Sequence, residues 1–197
     1  MGILYAENIK GKEIISFEYD ENFLKNNNIL LDPNLALYSG RQYLPLNKTM
    51  FGIFEDSSPD RWGRLLIKRR EAINAEKEGR RPKRLTDLDF LLGVYDKTRM
   101  GGLRYSINEN GPFLSTDEEL ATPPWVSLRE LEDASLHFEK KDGFEEKWLL
   151  QLIAPGSSLG GARPKASVVA TDGSLWIAKF PSNYDSFDVG AMGNGCS

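Results

Sequence analysis

The sequence predicts an α+β fold: a small β-rich N-terminal domain with helices, followed by a second unit that begins with a glycine-rich loop and a β-hairpin. Three observations carry this reading. Ile15, Phe17 and Tyr19 alternate with Ser16 and Glu18, the pattern of a half-buried strand. Two helix starts with apolar faces follow between residues 57 and 94. Near the C-terminal end, Thr171-Asp172-Gly173-Ser174 places an Asp-Gly turn between two short strand-like runs. The expected organisation is an N-terminal domain over 1–110, a linker and helix over 111–143, and a further lobe from 144 to 197.

Taken in order, residues 1 to about 55 read as short strands, with Gly11 and Asp32-Pro33-Asn34 as turns. A helix then opens with Ser58 as cap and Pro59 in its first position, where a missing N–H costs nothing. Trp62, Leu65, Leu66 and Ile73 form its apolar face, and Arg61, Arg64, Lys68, Arg69 and Arg70 point mostly outward. Thr86-Asp87-Leu88-Asp89 begins a second helix carrying Phe90, Leu91, Leu92 and Val94. Gly101-Gly102 leads into a strand over 103–107, and the polar stretch 108–124 is the linker. Ser127-Leu128-Arg129-Glu130 has the capping-box pattern for a helix with Leu128, Leu131, Ala134 and Phe138 on one face. A further helix over 144–153 runs into Pro155 and the glycine-rich stretch.

Composition narrows the function classes. With 40% hydrophobic and 27% charged residues in 197, the chain has material for a sizeable core. A net charge of −4 gives no global attraction to nucleic acid or anionic membrane. Locally the balance is +7 over 61–84 and −7 over 117–146. The basic stretch lacks aromatic interleaving or a base-reading motif, so a solvated helix face is favoured over direct DNA reading. A single cysteine, Cys196, suits the cytosol, and no run is long and apolar enough to span a membrane, so a cytoplasmic protein is expected. His137, the only histidine, has no nearby cysteine or second histidine and reads as a packing or surface residue.

The chemistry concentrates in 156–180. Gly156, Gly160 and Gly161 free the backbone to curl around a ligand, and successive N–H groups in such a loop form a concavity that suits phosphate oxygens. In the return strand Trp176, Ala178 and Phe180 share one face, while Ile177 and Lys179 share the other. A lysine buried there requires an anion, and a phosphate under the loop would supply it.

The run Ser158-Leu159-Gly160-Gly161-Ala162-Arg163-Pro164-Lys165-Ala166, followed by Trp176-Ile177-Ala178-Lys179-Phe180-Pro181, resembles the nucleotide loop and strand lysine of HipA-type toxin serine/threonine kinases. Ser57-Ser58-Pro59-Asp60-Arg61-Trp62-Gly63-Arg64 resembles the N-terminal region of the same family. The resemblance implies a protein-kinase-like N-lobe whose ATP phosphates are held by Gly160, Gly161, Ala162, Arg163 and Pro164. Lys165, Ala166 and Lys179 complete that implied site, with magnesium as the accompanying metal. It makes Ser158 an autophosphorylation candidate, although Gly160 stands where some members carry a second serine. It further implies restraint by a small DNA-binding antitoxin and a protein substrate such as an aminoacyl-tRNA synthetase.

Two family features are missing. No His-Arg-Asp-type catalytic loop occurs, and Asp142-Gly143-Phe144 has the wrong order for a metal-binding Asp-Phe-Gly. After Asp185-Ser-Phe-Asp-Val189, the run Gly190-Ala-Met-Gly-Asn-Gly-Cys-Ser197 is too rich in glycine to form the helix bearing the lysine's glutamate partner. The expectation is therefore the front portion of such a kinase, without catalytic or metal-binding residues and inactive as given. The competing reading is a non-catalytic module resembling stand-alone antitoxins of the HipA N-terminal type. That module would end near residue 110, so the 156–179 stretch favours the kinase reading.

Overall fold

The computed structural model describes residues 1–27, 29–99, 101–114, 128–140, 152 and 163–184. The fold is α+β, with a three-stranded and a two-stranded antiparallel sheet and five α-helices among the described residues. Strands β1 (Gly2–Ile9) and β2 (Lys12–Tyr19) pair in register from Gly2 opposite Tyr19 to Ile9 opposite Lys12. The connection is the two residues Lys10 and Gly11, with φ of 52° and 78°. Positive φ at both positions matches the right-handed twist of the flanking strands, which fixes the register of the hairpin.

The expected run of short strands over 1–55 is interrupted after Tyr19. Beyond it lie α1 (Glu21–Asn26), the two-residue β3 (Gln42–Tyr43) and α2 (Gly52–Asp56). Asp20 caps α1 by accepting from Phe23 N at 3.0 Å. The cap residue of α2, Phe51, offers no side-chain acceptor, and Asp32 supplies one from a distance. Its carboxylate accepts from Asn34 N at 2.7 Å, Asn34 Nδ2 at 2.9 Å and Ile53 N at 2.9 Å. A Cβ at Gly52 would lie 2.9 Å from Asp32 Oδ2, so a larger residue would push the carboxylate off the helix end. Burial opposes ionisation of Asp32, but the N–H groups around it outweigh burial and hold its pKa below the usual carboxylate range.

Helix α3 (Arg61–Lys77) starts later than expected. Asp60, not Ser58, is the cap: its Oδ1 accepts from Trp62 N at 3.1 Å and Gly63 N at 3.2 Å. Ser58 instead donates its hydroxyl to Phe54 O at 3.0 Å, and Pro59 lies outside the helix. Helix α4 (Asp87–Leu92) starts as expected, with a reciprocal capping box between Thr86 and Asp89. The expected strand over 103–107 reduces to one antiparallel bridge, Ser106 to Phe113. Helix α5 (Leu128–Lys140) buries Leu131, Ala134, Ser135 and Phe138. Strands β4 (Lys165–Val169) and β5 (Leu175–Lys179) form the second hairpin. Of the expected helix over 144–153, only Leu152 lies among the described residues; it is helical and buried.

Two apolar clusters result. In the first, Ile15, Phe17 and Tyr19 of β2 meet Leu35, Met50, Phe51, Phe54 and Leu91. Phe17 packs edge-on to Tyr19, with ring centroids 5.0 Å apart, and lies 5.3 Å from Phe54. In the second, Trp62 and Leu66 of α3 meet Leu131, Ala134 and Phe138 of α5 and Ala166, Val168 and Phe180 of the second hairpin. Part of the apolar surface of 1–110 is therefore covered by residues beyond it. Leu65, expected on the buried face, is 48% exposed.

Arg99 ties the segments around the first cluster. Its Nη1 donates to Ser57 O at 3.1 Å and Leu91 O at 2.8 Å, and its Nη2 donates to Val94 O at 3.1 Å. The guanidinium also lies over the Tyr105 ring at 4.7 Å. A lysine has no planar fork to reach three carbonyls and stack at once. Arg99→Lys is expected to lower unfolding stability by about 1.5–3 kcal/mol, measured by urea denaturation. An unchanged midpoint would show that these carbonyls find other donors.

Candidate functional site

The second hairpin carries the candidate site, and its local chemistry explains its shape. Gly173 N donates to Ala170 O at 2.9 Å, and Ala170 N donates to Ser174 O at 2.9 Å. Thr171, Asp172 and Gly173 form a three-residue loop, with Gly173 at φ 82° where only glycine sits without strain. Asp172 Oδ1 accepts from Ser174 N at 2.9 Å and from its hydroxyl at 2.6 Å. These bonds fix the register that sets Lys165 opposite Lys179, Ala166 opposite Ala178 and Ser167 opposite Ile177.

The two strands have different surroundings. Pro164 to Val168 are buried, whereas Leu175, Trp176 and Ile177 are 60%, 54% and 51% exposed. The reason is topological: β4 packs on the second cluster, and β5, the other strand of a two-stranded sheet, touches it only through Ala178. Ala178 and Phe180, expected to share a face with Trp176, turn to the core, but Trp176 does not share their burial. Lys179, expected to be buried, is exposed. The buried lysine is Lys165, at 4% exposure. Arg163 is exposed, and Pro164 and Ala166 are buried beside Lys165. Gly160, Gly161, Ala162 and Ser158 lie outside the described residues.

Lys165 is held from the N-terminal half of the chain. Trp62 Nε1 donates to Lys165 O at 3.1 Å, across 103 positions of sequence. The Trp62 ring stands edge-on to Phe138, with centroids 5.3 Å apart. Lys165 Nζ lies 3.9 Å from Asp60 Oδ2, with side-chain exposures of 5% and 21%. Asp60 thus caps α3 through one oxygen and faces an ammonium with the other. Burial pushes the Asp60 pKa up, against its Gly63, Lys165 and Trp62 partners. Burial pushes the Lys165 pKa down; Asp60 opposes this, and the neighbouring charge of Lys179 adds to it.

Sequence reasoning assigned Trp62 to an apolar face and gave Asp60 no role. No local pattern links either to Lys165, because the contact depends on how α3 docks against β4. Arg163, Lys165 and Lys179 offer three cationic groups on and beside one hairpin, chemistry suited to an anion such as phosphate. Among the described residues, no group of three or more His, Cys, Asp or Glu side chains is placed to hold a metal ion. No helix among the described residues is long and apolar enough to cross a membrane.

The pair makes a testable statement about pH. Asp60 has a folded-state pKa raised above the unfolded 3.8, so the folded chain holds its proton more tightly than the unfolded chain. Stability from this group is then present below about pH 3.8 and is lost as pH rises through the raised value. Asparagine keeps the cap without the charge. Asp60→Asn is expected to match the parent near pH 3 and to exceed it in stability near pH 7, measured by urea denaturation at both. A variant less stable than the parent at neutral pH would mean that the ion pair outweighs its burial cost.

Compared with family models, curated proteins and solved structures, the chain matches none.

Proposed function

We propose that the chain is the N-terminal portion of a HipA-type serine/threonine kinase and that β4–β5 presents the phosphate end of its ATP site. One observation carries this: Lys165 and Lys179 are directly opposed across the hairpin, immediately after the glycine-rich stretch. Directly opposed residues of an antiparallel pair point to the same side, and like charges there are destabilising. An anion between or beside the two ammonium groups relieves that repulsion, and a triphosphate carries charge enough for both. The glycine-rich stretch ending at Gly161 supplies backbone N–H donors adjacent in sequence to these lysines.

In this reading Lys179, exposed on the outer strand, meets the nucleotide directly. Lys165 is the deeper group, and the indole of Trp62 fixes the backbone that carries it. When bound, ATP supplies the phosphoryl group; the described residues bind and orient its phosphates. The same reading places the protein in the cytoplasm, with a small DNA-binding antitoxin as partner and a translation component such as an aminoacyl-tRNA synthetase as substrate of the whole kinase.

The test is ATP binding to the 197-residue chain, by calorimetry in the presence of magnesium. Lys179→Gln is expected to weaken binding at least about tenfold, the loss of one charge-assisted hydrogen bond. The same change is expected to raise the melting temperature of the ligand-free chain by removing the cross-strand repulsion. Unaltered affinity in Lys179→Gln, or no binding by the parent chain, would remove the assignment.

A further inference from the structure

We propose that the chain pairs with a second copy of itself by joining the two β1 strands, antiparallel, across a two-fold axis at Ala6. The inference concerns the N-terminal sheet alone and stands apart from the phosphate site. Strand β1 closes one side of the sheet ordered β1-β2-β3, and no described strand pairs with its other side. It is eight residues long, pairs with β2 without a break in register, and holds no proline and one charge, Glu7. Edge strands are commonly shielded by proline, lysine, a bulge or short length, and β1 has none of these within it.

The open edge carries a definite set of donors and acceptors. Asp20 N donates to Met1 O at 2.9 Å, which makes Met1 and Asp20 a hydrogen-bonded pair. Such pairs alternate along an antiparallel ladder, so Ile3, Tyr5, Glu7 and Ile9 turn their backbone groups to β2. Gly2, Leu4, Ala6 and Asn8 turn theirs outward. The side chains alternate too: Leu4 and Ala6 stand beside Phe17 and Ile15 on the core face, and Ile3, Tyr5, Glu7 and Ile9 share the other. On that outer face Ile3 and Ile9 are 58% and 49% exposed.

A second copy is the occupant that these side chains fit. Outward backbone groups must meet outward ones, so the axis passes through a residue of β1 and not between two. An axis at Glu7 sets two carboxylates opposite each other, one at Tyr5 sets Glu7 opposite the partner's Ile3, and axes nearer either end shorten the overlap. An axis at Ala6 sets Ile3 opposite the partner's Ile9 and Tyr5 opposite the partner's Glu7, with the two Ala6 residues exchanging both backbone bonds. Directly opposed side chains lie on one face and interact. Arg41 lies 3.8 Å over the Tyr5 ring and pairs with its own Glu7 at 3.0 Å. The partner's Glu7 therefore arrives beside Arg41, and two arginines and two glutamates alternate in sign around the axis. Apolar pairs at both ends and balanced charge at the middle make β1 complementary to itself.

Sedimentation of the 197-residue chain over a concentration series is expected to show a reversible equilibrium between monomer and dimer. Ala6→Pro removes the N–H at the axis and spares the β1–β2 bonds, because that N–H points away from β2. Ile3→Lys sets a charge against the partner's Ile9 and beside the chain's own Glu18, which accommodates it in the monomer. Each change is expected to raise the dimer dissociation constant at least about tenfold. Lys48→Ala, which removes an exposed cation elsewhere, is expected to change nothing. The two Ala6 Cα atoms would stand about 5.5 Å apart, within disulfide reach. Ala6→Cys, made with Cys196→Ser so that no other thiol competes, is therefore expected to form a covalent dimer on mild oxidation. Thermal melts of dilute protein establish that each variant is folded. A parent chain that stays monomeric throughout the series overturns the proposal. A dimer that folded Ile3→Lys leaves undiminished, or an Ala6→Cys chain that does not cross-link, shows association through another surface and overturns it equally.

Discussion

The docking of Trp62 against the second hairpin is the constraint on which the rest of the arrangement depends. A single indole fills the junction of α3, α5 and β4, and its N–H satisfies a buried backbone carbonyl of β4. The carbonyl belongs to Lys165, so the bond that closes the core also fixes the residue whose ammonium faces Asp60. Packing and electrostatics meet at one residue, with Trp62 below the strand and the cap of α3 beside it. Helix α3 thereby serves both halves of the chain. Trp62 and Leu66 face the second cluster, while Ile67 and Arg70 approach the end of α4 at Gly93.

The charged residues divide into two populations. Along and after α3 three of the cations are paired locally. Arg64 pairs with Asp87 at 2.9 Å, Arg80 with Glu71 and Glu78 at 2.5 Å each, and Lys83 with Asp89 at 2.6 Å. Hydrogen bonds from Arg80 and from Lys83 N hold the Glu71 pKa down to about 2, so its charge persists through ordinary pH. These pairs pin the connector between α3 and α4, and Asp87 and Asp89 add two negative charges just beyond the basic stretch. At the hairpin the situation is reversed: Lys165 and Lys179 are placed together, and the one carboxylate described beside them is already shared with a helix end. Like charges are thus brought together across one hairpin.

What could be read from sequence divides along the range of the interaction. The helix start at Thr86, the apolar face of α5 and the turn at Asp172-Gly173 involve neighbours within about one helical turn or loop, and all three occur where expected. Asp60 and Ser58 are both competent caps by type, and the choice between them follows from where the helix axis must run to dock Trp62. Lys179 was placed on the wrong side of the burial divide for a related reason. Alternation shows which side chains share a face, but it does not reveal that β5 lies outside the core while β4 lies within it. The three carbonyls on Arg99 and the reach of Asp32 to α2 are likewise invisible to any local window.

The long separation between Trp62 and its partner has a consequence for synthesis on the ribosome. The β1–β2 hairpin and the first cluster can form from the leading segment, since their residues all lie within the first 91 positions. Trp62 and Leu66 emerge with them but must await a strand made 103 residues after the indole. At about 5–20 residues per second, that interval is roughly 5–20 s. Until α5 and then β4 follow, Trp62 and Leu66 stand uncovered in the nascent chain. Chaperone capture during translation would act most strongly on α3, and the emergence of β4 would end it.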